Sequence, residues 1–284
     1  MTLVLARRFG SRIAVLSDTM ISHKDWPAPK VFPGRLKSIV INKRLTLSYA
    51  GLSDQGTDVA RDLRRQPPSS TSALVDLLLV ENRRHNDELD FILCTHEPET
   101  VPRLVKISGG AVSEGADFYW IGNRQAASEI SRLSMQSPTA ENLPDYMTQD
   151  EADFRNRFLT YLTSGAGVRH GVGGAAIDCL CSQDGHCYQT HAGAFSWDTI
   201  TVGEDDPAAS AILNKTGMYH FTYNVCSPSE RGQAILGLYL SQAETGYLYD
   251  PMNGTEPMKV CGSTLAEFAE LVHHAATVLS RASS

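Results

Sequence analysis

The chain has 284 residues, 42% hydrophobic and 20% charged, with a formal net charge of −7. That length supports a large core without disulfides or a metal, and the negative balance argues against nucleic acid as a partner. No apolar run approaches the ~20 residues that span a bilayer; the first residues lack the basic-then-apolar pattern of a secretory signal, and the six cysteines are sparse enough to imply reduced thiols in a cytoplasmic setting.

In chain order, Leu3 to Ala6 and Arg12 to Leu16 are short apolar runs that read as a β-hairpin turning near Gly10. A second hairpin joins Ser38–Ile41 to Leu45–Tyr49 through Asn42-Lys43-Arg44, and its adjacent Val40 and Ile41 suggest a strand covered on both faces. From Ser53 the period changes. A helix carrying Val59, Ala60 and Leu63 ends before Pro67-Pro68, and a second spans about Ser72 to Asn86. Strands follow at Phe91–Cys94, Arg103–Ile107 and Phe118–Gly122, then helices at Arg124–Leu133 and Gln149–Leu162, then a hairpin over Ala175–Gln189. Past residue 200, Ala234–Leu240 pairs with Tyr247–Tyr249, and a helix from Thr264 to about Leu279 closes the chain. This order implies helices layered on antiparallel sheets. The expected division is a core over residues 1–200 and a C-terminal extension, hairpin plus helix, over 201–284 packed on it.

A hairpin centred on Gly10 gives cross-strand partners whose numbers sum to about 20, which sets Thr2 opposite Asp18. Initiator methionine is usually removed before a small residue, so a mature chain would begin with Thr2. Such a threonine joins a hydroxyl nucleophile to its own α-amine, a workable general base with an ordinary pKa of ~7.7–8.0.

The succession Thr2, Ser17-Asp18, Lys37-Ser38-Ile39-Val40-Ile41 and Ser48-Tyr49-Ala50-Gly51 resembles the N-terminal nucleophile hydrolases, most closely proteasome β-type subunits and their bacterial relatives. The resemblance covers roughly residues 2 to 195 and is strongest over the first fifty. It implies a four-layer αββα sandwich, two antiparallel sheets between helix layers. It also implies an acyl-enzyme on Thr2, with Lys37 depressing the nucleophile's pKa, Asp18 holding that ammonium, and the Gly51 N–H stabilising the oxyanion. Ser22 and Ser53 would flank a cleft that takes peptide as an added strand. No cofactor or metal is implied; the partners would be a peptide or protein substrate and further copies in a ring-like homo-oligomer.

Two motifs depart from that family. Its Gly-Ser-Gly reads Gly122-Asn123-Arg124, and its Asp-x-x-Ser-Gly reads Arg169-His170-Gly171-Val172-Gly173. Asn123 retains a side chain able to bond an amine; Val172 does not. An Arg169 standing in the acid's place would further lower the Lys37 and amine pKa values. These departures leave two other readings open, a non-catalytic scaffold subunit and a small-molecule amidase or acyltransferase. The Cys179, Cys181, His186, Cys187 and His191 run has ligands enough for zinc, but not a finger's spacing; the simpler reading makes Cys179 and Cys181 buried residues on one strand face.

Overall fold

The computed structural model describes residues 2–21, 33–98, 100–133, 143, 147–164, 166–189, 192–196, 219–227, 234–250, 252–254 and 256–282. Strands β1 (Leu3–Phe9) and β2 (Arg12–Asp18) make the first hairpin, with Gly10 at φ +60° reversing the chain. Val4 pairs with Ser17 and Phe9 with Arg12, so the turn is the two-residue Gly10-Ser11 and the register is one residue off the expected one. On this hairpin, alternation separates Val4, Ala6, Ile13 and Val15, which enter the central core, from Leu3, Leu5, Ala14 and Leu16, which pack under helices.

β1 and β2 belong to a five-stranded antiparallel sheet completed by β8 (Phe118–Gly122), β9 (Ala176–Ser182) and β10 (Gly185–Tyr188), in the order β10-β9-β2-β1-β8. A second sheet runs in simple succession through β3 (Ser38–Asn42), β4 (Leu45–Gly51), β5 (Leu89–Thr95), β6 (Arg103–Ser108) and β7 (Ala111–Glu114). Helices α1 (Ser53–Arg65) and α2 (Thr71–Arg84) lie on this second sheet. Helices α3 (Arg124–Arg132) and α4 (Gln149–Thr163) lie on the first. Asn123 and Thr148 begin them as N-caps, accepting from Ala126 N and Glu151 N.

The two-sheet αββα expectation is overturned by a third five-stranded antiparallel sheet, β11 (Ala192–Ser196), β12 (Tyr219–Ser227), β13 (Ile235–Leu240), β14 (Thr245–Tyr249) and β15 (Met258–Cys261), in sequence order. The fold is therefore a strand-rich α+β arrangement of three sheets. The physical reason is that β13 is apolar on both faces. Leu236, Leu238 and Leu240 join the same core as the other two sheets, while Ile235 and Tyr239 meet Phe268 and Val272 of α5 (Leu265–Ala282). Gly237 and Gly246 let α5 sit directly on the strands: a Cβ on Gly246 would come within 2.2 Å of the Phe268 ring. Among the described residues no helix is long and apolar enough to cross a membrane.

Candidate active site

The open end of the β1–β2 hairpin gathers the charged residues. Because partner numbers sum to 21 rather than 20, Leu3, not Thr2, comes level with Asp18, and the Leu3 N–H donates to Asp18 Oδ1 at 3.0 Å. Thr2 therefore lies one residue beyond the expected pairing, and by alternation it shares a face with Val4 and Ser17. Asp18 is fully buried. Its Oδ2 accepts from Lys37 Nζ at 2.9 Å and from the Gly173 N–H at 3.2 Å. Two backbone donors and one ammonium thus hold the carboxylate, the combination a buried charge requires.

Lys37 immediately precedes β3 and its side chain is 3% exposed. Besides Asp18 it donates to the Met20 carbonyl at 2.5 Å. Burial pulls its pKa below the ordinary lysine value, and the Asp18 carboxylate opposes that pull. Two of the three ammonium N–H groups are engaged among the described residues. Thr2 is 4% exposed. The Thr2 carbonyl accepts from the Asn123 N–H at 2.8 Å, and Gly122, at φ +93°, closes so tightly that a Cβ there would stand 2.0 Å from the Thr2 oxygen and 3.3 Å from Ala50 Cβ. The start of β1, the end of β8 and the end of β4 therefore meet at Thr2.

Gly51 closes β4 at φ +104°, where a Cβ would fall 1.8 Å from the Glu88 carbonyl; only glycine fits. Ser53 opens α1, and its hydroxyl accepts from Arg35 Nη1 at 3.1 Å. The same guanidinium is bonded to Asp54 and, at 3.3 Å, to Glu256 just before β15; Tyr249 of β14 donates to the Pro33 carbonyl. The third sheet is thus tied to the loop that leads into Lys37. Ser22 and His191 lie outside the described residues.

The Asn123 side chain is committed elsewhere. Its carbonyl accepts from Ala126 N and its amide donates to the His170 carbonyl at 3.0 Å, so its link to Thr2 runs through the backbone. Arg169 is largely exposed and pairs with Glu129 at 3.2 Å, and Val172 is buried among the α4 side chains. Cys179 and Cys181 are fully buried on one face of β9. Among the described residues no three His, Cys, Asp or Glu side chains are arranged to hold a metal ion.

Sequence reasoning missed the backbone members: Leu3 N–H, Met20 C=O and Gly173 N–H carry no side-chain signature. The one available signal was glycine. Gly173 tolerates little at its α-carbon, since a Cβ would stand 3.0 Å from Met20 Sδ. No protein-family model matches the chain, and the search of curated proteins finds no match either.

Proposed function

We propose that this protein is an amide hydrolase that uses Thr2 as an N-terminal nucleophile, chemistry of the kind found in the N-terminal nucleophile hydrolases. One observation carries the reading: a fully buried Asp18–Lys37 pair is fastened by a backbone bond to Leu3, the residue next to Thr2. Burying two charges costs several kcal/mol per ion before compensation, and a role beside Thr2 gives a reason for keeping such a pair at this position. Lys37 keeps one N–H unengaged among the described residues.

In this mechanism the Thr2 α-amine takes the proton as Oγ bonds to the substrate carbonyl carbon. The Gly51 N–H steadies the oxyanion, and Lys37 stabilises charge building on Oγ. The amine then returns the proton to the leaving nitrogen, and water hydrolyses the ester on Thr2. The substrate class is a peptide or protein in the cytoplasm, and the working form is a homo-oligomer. A second reading, a non-catalytic scaffold subunit, draws on one observation: the Asn123 amide is already occupied on both sides.

The test has two stages. Intact mass establishes whether Thr2 carries a free amine, and a β-lactone that acylates N-terminal threonine then reports on the hydroxyl. Stoichiometric acylation at Thr2, absent in Thr2→Ala, supports the hydrolase. A chain that carries the free amine yet stays unlabelled hands the site to the scaffold reading. Peptide and small acylamide substrates offered side by side separate peptidase from small-molecule amidase.

A further inference from the structure

At the turn end of the same hairpin, four side chains from β4, β5, β9 and β10, with that of His96 just after β5, form a polar chain that the hydrolase reading does not use. Cys181 is fully buried, level with Ile13 on one side and His186 on the other. Its thiol donates to Thr46 Oγ1 at 3.6 Å. Thr46 Oγ1 lies 2.9 Å from His186 Nδ1, and His186 Nε2 lies 3.1 Å from His96 Nδ1. Cys94, level with Thr46 in the β4–β5 ladder, interacts directly with Cys181 from the other sheet.

Donor counting orients this chain. With Cys181 donating to Thr46, the single hydroxyl proton of Thr46 goes to His186 Nδ1. His186 must then carry its hydrogen on Nε2 and donate to His96 Nδ1, leaving the His96 hydrogen on Nε2. Shifting every proton one step along leaves a thiolate at Cys181 and both nitrogens of His96 protonated. His96 can pass that proton on: burial, and after it His186, hold its imidazole below the ordinary histidine value. The two thiols differ accordingly. Burial pushes Cys181 up, but Cys94 and His186 together draw it well below the usual thiol range, while Cys94 is raised by Cys181 and by burial. Two thiols side by side, one of them with a route by which to shed its proton, are what dithiol oxidation needs.

We propose that Cys181 and Cys94 form a peroxide-responsive dithiol that closes into a disulfide between β9 and β5, with Thr46, His186 and His96 as the exit path for the thiol proton. The Cys181 thiolate attacks hydrogen peroxide, an S–O bond forms, the O–O bond breaks, and the departing hydroxide takes the exported proton as water. Cys94 then attacks the Cys181 sulfur; the S–S bond forms, the S–O bond breaks, and the second hydroxide leaves with the Cys94 proton. Two electrons pass from the sulfurs to one peroxide, which ends as two waters. Because both thiols are buried, the site excludes an oxidant as large as oxidised glutathione, which should instead find the exposed Cys261, and the proposal requires one as small as peroxide.

The experiment treats the folded protein with hydrogen peroxide or with oxidised glutathione, unfolds it in alkylating reagent, and maps the cysteines by mass spectrometry. Peroxide is expected to give a Cys94–Cys181 cross-linked peptide; oxidised glutathione is expected to modify Cys261 and leave the pair alkylated. Thr46→Val keeps both thiols and cuts the path, and should slow cross-linking on the order of tenfold. His96→Gln, at the outer end, should slow it too and serves if Thr46→Val does not fold. Alkylation of both thiols at a peroxide dose that oxidises Cys261 overturns the proposal, as does a Cys94–Cys179 link. Unchanged rates in the variants overturn the proton path.

Discussion

At the open end of the β1–β2 hairpin the protein buries two full charges, Asp18 and Lys37, and surrounds them with backbone: Leu3 N–H, Gly173 N–H and Met20 C=O. At the turn end, Thr46, His96 and His186 bury neutral groups that satisfy one another from side chain to side chain. The contrast is instructive. A formal charge in a low-dielectric interior needs rigid dipoles that move little, whereas a neutral relay needs partners that can exchange donor and acceptor roles. The open end is built to hold a charge in place, and the turn end to let a proton pass.

Removing one partner at the charged end should have the largest effect. Asp18→Ala leaves the Lys37 ammonium buried and uncompensated, a loss of about 3–5 kcal/mol in denaturant unfolding. Replacing both, as Asp18→Asn with Lys37→Met, should recover much of that stability while abolishing Thr2 acylation. A double variant no more stable than the single would show that the charges are not coupled. Gly122→Ala is next: a left-handed residue forced onto the Thr2 carbonyl should cost about 1–3 kcal/mol in backbone strain alone and displace Thr2, so acylation should fall further than stability does.

The turn end responds to pH with a defined sign. His96 in the folded state is held below its ordinary value, so on acidification the unfolded chain takes up a proton first, near pH ~6.5. Stability should therefore fall as pH drops below that point, and level off only once His96 protonates in the folded protein too. His96→Gln should flatten this part of the curve in thermal unfolding across pH 5 to 8. An unaltered slope would assign the acid sensitivity to another group.

Much of this was legible in the chain. Asp18 and Lys37 stand at strand ends where an apolar run breaks, and every strand of the first two sheets except β7 follows from period and punctuation. The register was not legible, because a two-residue Gly10-Ser11 turn and a turn centred on Gly10 alone differ by one residue with the same strands. Of the third sheet the β13–β14 hairpin was legible, but the sheet as a whole was not, because β11 and β12 are separated by a long stretch, residues 197–218, and pairing across such a gap leaves no local trace. β7 was missed as well, since all four of its residues are exposed and show no apolar face. The relay was out of reach for the same kind of reason: Thr46, His96 and His186 come from three separate segments, and only the packing of one sheet on another makes them neighbours.

The smallest expected effect is also the one of unusual sign. Ser17 is level with Val4, shares the face that alternation gives to Thr2, and has a fully buried hydroxyl without a hydrogen-bond partner among the described residues. An unmet buried hydroxyl costs about 1–3 kcal/mol, and alanine removes it while leaving only a small void. Ser17→Ala should therefore unfold at a temperature no lower than the parent, and about 2–4 °C higher if roughly 1 kcal/mol is recovered. A lower melting temperature would mean that the hydroxyl is satisfied in solution. If the melting temperature rises while Thr2 acylation slows, the protein keeps an unfavourable group beside its nucleophile because the site uses it, as Asp18 and Lys37 already suggest for this end of the hairpin. If the melting temperature rises and acylation is unchanged, Ser17 is a packing defect, and the charged pair alone distinguishes the open end from the turn end.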